Sequence, residues 1–251
     1  MKNRTIIYKY LFQWYLNNGV NTLIAPMKSS SLYNNNDKSL DKIEKNPSVL
    51  ELSSDLNRLL QGCKDLENLK DLIVKHCDCA LKKTAKNIVF SDGNSSADVM
   101  LIGEAPGVEE DKTGRPFVGE AGQLLDKMLN SIGQNRKNTY ITNILLWRPP
   151  GNRKPTDEEI LACIPFVKRH IELIRPKLLI LAGATAAKSI YNTDIGITQI
   201  RGNWKNIDIG NIRNLKSIAI FHPAFLLRQP ARKREAWDDL KKIKIEIDLH
   251  T

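Results

Sequence analysis

The sequence predicts an α/β protein: a three-layer α/β/α sandwich with a central, mainly parallel four-stranded sheet, plus a helical N-terminal extension. Three observations carry this. Four short runs, DVMLIG (98–103), TYITNILLW (139–147), KLLILAG (177–183) and SIAIF (217–221), are apolar almost throughout, as parallel strands covered on both faces must be. Segments with helical periodicity lie between them. The glycines, prolines and polar residues that stand out follow the runs directly. Strand–helix alternation of this kind winds a parallel sheet with helices on both faces.

The elements follow in order. Residues 5–24, TIIYKYLFQWYLNNGVNTLI, carry apolar residues at helical spacing and predict a helix. The stretch 29–47, SSSLYNNNDKSLDKIEKNP, is polar and rich in Asn and Ser, which predicts a flexible linker. Residues 1–47 are therefore read as an N-terminal helix and linker, and 48–251 as the main domain. A helical stretch over about 48–75 leads into KHCDCALKKTAKN. Within the alternating region, GQLLDKMLNSI, TDEEILACIPFVKRHIELI and ATAAKSIY predict the connecting helices, with Thr156 as the N-cap of the second. ARKREAWDDLKKIKIEI supplies a closing helix.

The chain has 251 residues, enough to bury a sizeable core. Lys and Arg outnumber Asp and Glu 38 to 28, a net charge of +10, which favours a polyanionic partner such as nucleic acid or an anionic membrane surface. The longest apolar run, LLILAGATAA, is about half the roughly 20 residues that span a bilayer. No secretory signal is visible. Four irregularly placed cysteines do not make a disulfide scaffold and point to a reducing compartment, the cytoplasm. A phosphate-binding glycine loop ending in Gly-Lys-Ser/Thr, H-E-x-x-H and G-x-S-x-G are all absent, so nucleotide-hydrolysing and serine-hydrolase chemistry lack their machinery.

In an open parallel sheet, ligands bind outside the carboxyl ends of the strands. There the chain places Glu104-Ala105-Pro106-Gly107 after the first run, Asn143 in the second and His222-Pro223 after the fourth. These clusters, spread over more than a hundred residues of chain, are expected to meet in one cleft. The loop after the first run piles up Glu104, Glu109, Glu110 and Asp111 in a basic chain. Carboxylates suit a helix N-terminus, but Gly103 and Gly107 also permit a ligand to approach the backbone, and Phe117 follows within reach. Asn143 offers a donor and an acceptor for a base edge. His222 suits polarisation of a substrate oxygen. The basic stretches RPPGNRK (148–154) and LLRQPARKR (226–234) flank the inferred cleft and suit phosphates.

GEAPGVEEDKTGRPFVGEAGQLLDKML, TNILLWRPPGNRKPTDEEILAC and HPAFLLRQPARKREAWDDL resemble the successive motifs of the family 4, iron–sulfur type uracil-DNA glycosylases. The likeness covers about residues 77–242, in order and at compatible spacing, and leaves the first 75 residues or so unexplained. It implies a monomeric hydrolase that flips uracil out of DNA and cleaves its N-glycosidic bond, leaving an abasic site. Gly103 to Gly107, with Glu110 and Asp111, would form the catalytic loop. Where the best-known relatives of the wider superfamily carry aspartate, this chain has Ala105. Glu104 or Glu110 would then position water or stabilise the cationic sugar, and the sequence does not choose between them. Phe117 would stack on the flipped base, Asn143 would bond its Watson–Crick edge and His222 would stabilise charge on the departing uracil. Arg148, Asn152, Arg153, Leu226, Leu227 and Arg228 would grip or enter the DNA.

The same resemblance implies a 4Fe–4S cluster on four cysteines. Cys79 and Cys163 fit two of those positions, whereas His76 and Trp147 occupy the other two. Cys63 and Cys77 offer substitute thiols, but a Trp cannot ligate iron, so the sequence disfavours a cluster and leaves the substitute set as the alternative. The competing reading is a non-catalytic DNA-binding module of the same fold, associated with replication proteins. Glu104, Phe117, Asn143 and His222 standing together favour the enzyme.

Overall fold

The structure, a computed structural model, describes residues 47–249, and over 47–54 the helical backbone alone. The helix expected over 5–24 and the linker expected over 29–47 lie outside the described residues, apart from Pro47. The chain divides into two compact units, residues 1–56 and 57–251. Among the described residues no helix is long and apolar enough to cross a membrane.

The helical stretch expected over 48–75 is two helices, α1 (Pro47–Gly62) and α2 (Leu66–His76). The break falls where Asp65 caps α2, its side chain accepting the Asn68 N–H at 2.7 Å. A carboxylate there satisfies an otherwise orphaned amide, so a new helix starts.

The sheet has six strands in the order β1-β3-β2-β4-β6-β5: β1 (Asp92–Gly93), β2 (Val99–Gly103), β3 (Thr139–Asn143), β4 (Leu178–Ala182), β5 (Trp204–Ile209) and β6 (Ile212–Ile220). The four expected strands are its parallel centre, and every residue of β2, β3 and β4 is buried. Two antiparallel edge strands add to the expected four. Their absence from the sequence reading has a physical reason: β1 is two residues long, and β5 exposes the adjacent Lys205 and Asn206 and breaks register between Ile207 and Ile209, so it shows no clean alternation.

Strand periodicity divides the core into two faces. Val99, Leu101, Ile141, Leu178, Ile180, Ile218 and Ile220 pack with Leu125 and Leu129 of α4 (Glu120–Asn130), Leu226 of α8 (Pro223–Arg228) and Leu240 and Ile243 of α9 (Lys233–Asp248). On the opposite face, Tyr140 bonds through its hydroxyl to His170 Nε2 of α5 (Asp157–Ile174) at 2.7 Å. The remaining helices are α3 (Val108–Thr113), α6 (Ala184–Tyr191) and α7 (Ile197–Ile200). Each fully buried Leu or Ile contributes about 1.5–3 kcal/mol, so the alternation fixes the register of the sheet.

Burial pushes the His170 imidazole down to about 3. Its unfolded value is the ordinary one, about 6.5. Between those values the unfolded chain binds a proton that the folded chain refuses, so stability present above pH 6.5 is lost as pH falls toward 3. Urea midpoints measured between pH 6.5 and 4.5 are expected to fall more steeply for the wild type than for His170→Gln. Parallel curves would contradict the assignment.

Candidate active site

The carboxyl ends of the parallel strands converge as expected. Gly103 and Asn143 are register partners at the ends of β2 and β3, and the Gly183 N–H bonds to Ile220 O where β4 meets β6. Gly183 has a φ of 98°, and a Cβ there would lie 2.9 Å from the His222 Cβ. The bare glycine is what lets His222 sit over the end of β4.

Asn143 is 2% exposed, and its Oδ1 accepts no hydrogen bond. A buried acceptor left empty costs about 1–3 kcal/mol, so its persistence marks a place for a partner. The Phe117 ring closes on the same side of Gly103. A Cβ on Gly103 would come within 2.4 Å of both Asn143 Oδ1 and Phe117 Cζ. The Phe117 ring stacks on that of His222, centroids 5.5 Å apart and planes inclined by 27°. Phe117 adopts a φ of 55°, a conformation that favours glycine. An aromatic face, an amide and an imidazole thus line one narrow slot.

His222 caps α8, its Nδ1 accepting the Ala224 N–H at 3.1 Å. That bond leaves the ring proton on Nε2, by the hydrogen-bond network. Burial pushes the His222 imidazole down to about 4, and the Arg228 charge adds to the effect while Glu110 opposes it. At neutral pH His222 is therefore a neutral donor through Nε2.

The acidic loop resolves into separate tasks. Glu110 Oε2 accepts the Gly107 N–H at 3.0 Å, and Oε1 accepts the N–H groups of Val118 and Gly119 at 2.8 and 2.9 Å. Asp111 Oδ1 accepts the N–H groups of Lys86 and Asn87. Glu109 pairs with Lys112 in solvent. Glu104, like Glu109, has no backbone amide on its carboxylate, but unlike it is half-buried, and the Thr185 hydroxyl donates to its Oε2. Thr185, in the first turn of α6, was not singled out from sequence; its hydroxyl is ordinary until the fold places it beside Glu104.

The DNA-side candidates divide. Leu226 does not face outward: it is 1% exposed and packs in the core, because the short helix α8 turns it inward. This corrects its assignment to the DNA face. Leu227, 39% exposed, and Arg228 face solvent. Arg148 Nε donates to Asn152 Oδ1 at 2.7 Å, and Arg153 makes a two-pronged pair with Glu159. These three residues brace their own loop.

Near the start of α5 the cysteines gather. Cys77 Sγ lies 3.9 Å from Cys163 Sγ, and all of Cys77, Cys79 and Cys163 are buried. The hydrogen bond with Cys163 holds the Cys79 thiol below its usual range, and bonds to Cys77 and Cys79 push Cys163 up. His76 is exposed, so Cys77 turns inward in its place. Trp147 is 4% exposed and offers no ligand atom to a metal. A 4Fe–4S cluster takes four thiolates, and this donor set does not fit it. Among the described residues no group of three or more His, Cys, Asp or Glu side chains is placed to hold a metal ion.

The slot at the strand ends of this sheet defines a class. Residues 90–241 match the Uracil DNA glycosylase superfamily. The type-4 uracil-DNA glycosylase of Archaeoglobus fulgidus is 42% identical over 185 residues, covering 71% of this chain and 92% of that protein. Those of Thermotoga maritima and Pyrobaculum aerophilum are 40% and 39% identical, covering 71% and 70% of this chain and 94% and 91% of their own lengths. The chain belongs to the type-4 uracil-DNA glycosylases of that superfamily.

Proposed function

We propose that this protein flips uracil out of DNA and hydrolyses the bond between the base and deoxyribose C1′, releasing uracil and leaving an abasic site. The buried, unpartnered Oδ1 of Asn143, beside the Phe117 ring, carries the reading. Uracil presents an N3–H donor to that oxygen, and its O4 meets the amide nitrogen. Cytosine presents an acceptor at N3 and a donor at C4, and so matches neither. Phe117 stacks on the base. His222 donates from Nε2 to the uracil oxygen on which negative charge develops as the bond breaks, without transferring its proton. Glu104 faces the cationic sugar and orients the water whose oxygen bonds to C1′. Glu110, with both oxygens taken by backbone amides, holds the loop in shape. Leu227 and Arg228 meet the DNA, and Arg148, Asn152 and Arg153 form a basic loop for phosphates.

The test compares oligonucleotides that differ at one base. Uracil-containing strands, single or paired with G, are expected to break after incubation and alkali, while cytosine strands stay whole. Equal treatment of uracil and cytosine would contradict the Asn143 reading.

The protein is further proposed to fold and act without an iron–sulfur cluster, on the strength of Trp147 and the donor set around Cys163. Anaerobically purified protein is expected to be colourless and active. Stoichiometric iron with absorbance near 400 nm, lost in Cys79→Ala, would contradict this.

A further inference from the structure

Arg136 belongs to none of the motifs that carry the site, yet its guanidinium reaches the slot's support. Nη2 donates to Phe117 O, and Nη1 donates to Pro116 O at 3.1 Å. Two carboxylates orient the group from behind: Asp92 Oδ2, 2.5 Å from Nη1, and Asp126 Oδ1, 2.9 Å from Nε. The next amide along the chain, Val118 N–H, donates to Glu110 Oε1 at 2.8 Å. One peptide group, between Phe117 and Val118, is therefore held on its oxygen by a guanidinium and on its N–H by a carboxylate. A third support is steric. A Cβ on Gly122 would lie 1.7 Å from Phe117 O, so α4 presses its bare backbone against the same carbonyl.

These contacts surround the residue whose backbone most needs them. Phe117 holds a left-handed φ of 55° without being glycine. Such a conformation persists only where its surroundings over-determine it. Arg136 holds the carbonyls of both peptides that flank Phe117, Pro116 O and Phe117 O, so the groups that set its φ and ψ are fixed together. We infer that Arg136 is a positioning residue for the proposed excision: with Glu110 it clamps this peptide and so fixes the Phe117 face on which uracil stacks. The inference rests on the slot reading given above. A guanidinium is required because it spans two adjacent carbonyls and two carboxylates with a rigid fork of donors, which a lysine ammonium cannot do.

The test uses the full chain with Arg136→Met and Arg136→Lys. Single-turnover excision in Arg136→Met is expected to fall about a hundredfold, the scale for misplacing a reacting group by an ångström. Inhibition by free uracil should weaken about tenfold, the scale of one base–aromatic stack. Affinity for uracil-free duplex should stay within about twofold, because phosphate contacts set it. Arg136→Lys, keeping fewer of the bonds, should fall between wild type and Arg136→Met, and it carries the same readouts if the methionine variant does not fold. Free-uracil inhibition equal to wild type in the folded variants would overturn the clamp. So would a loss of uracil-free DNA binding in step with activity. Wild-type protein that releases no uracil would instead defeat the excision reading, a separate outcome.

Discussion

Replacing either Asn143 or His222 with alanine is expected to slow single-turnover uracil release by about a hundredfold or more, the scale for losing one transition-state hydrogen bond. Asn143 is the clearer case. Its Oδ1 is sealed from solvent and bonded to nothing, so its cost in the free protein is recovered only when a donor arrives. His222 acts on the departing base: its Nδ1 is occupied by the Ala224 amide and its pKa is near 4, so Nε2–H is available throughout the neutral range. Neither residue is placed to hold phosphates, so affinity for the same DNA should change little. An unchanged single-turnover rate in either variant would remove that residue from the site.

Gly103→Ala is expected to be at least as damaging. The added methyl would stand 2.4 Å from both Asn143 Oδ1 and Phe117 Cζ, well inside van der Waals contact. One or both side chains must shift to admit it. Asn143 is 2% exposed at the end of β3, and the Phe117 backbone is held against Gly122. The methyl therefore displaces the two side chains proposed to read and stack on the base. Excision should drop by about a hundredfold or more, as expected when reacting groups lose their alignment, and inhibition by free uracil should disappear. Overpacking costs about 1–3 kcal/mol, so a lower melting temperature should accompany the loss without unfolding the protein. Gly62→Ala is the control, since nothing lies within 4 Å of a Cβ there. A Gly103→Ala enzyme as active as the Gly62→Ala control would contradict the slot.

The sheet's centre was legible because burial on both faces forces a strand to be apolar along its length. Its edges were not, because β5 exposes Lys205, Asn206 and Asp208 without a regular period and β1 is too short to leave a pattern. The apolar run 139–147 overstated β3. Beyond Asn143 the chain leaves the strand, and Ile144 and Leu145 donate to the carbonyls of Gly103 and Glu104. Phe117, Asn143 and His222 were legible as site candidates from their positions at or after strand ends, and the structure brings all three together. The division of labour among the acids was not. Glu110's partners are backbone amides from Gly107 to Gly119, which meet only once the loop has folded. Arg136 left no signal for the same reason: two of its partners are main-chain carbonyls. Leu226 and Leu227 differ only in helix phase, and a six-residue helix gives too little periodicity to assign it. Cys77 is a similar case, since only the chain's path after α2 decides that it, and not His76, points inward.

The central claim is that the Phe117–Asn143–His222 slot belongs to an enzyme that liberates the base. The most direct measurement mixes excess protein with a uracil-containing duplex for a single turnover and quantifies free uracil by chromatography. One uracil per duplex is expected, with an abasic site in its place and almost no product from Asn143→Ala on the same timescale. Duplex that binds the wild-type protein yet yields no free uracil at any protein concentration would contradict it.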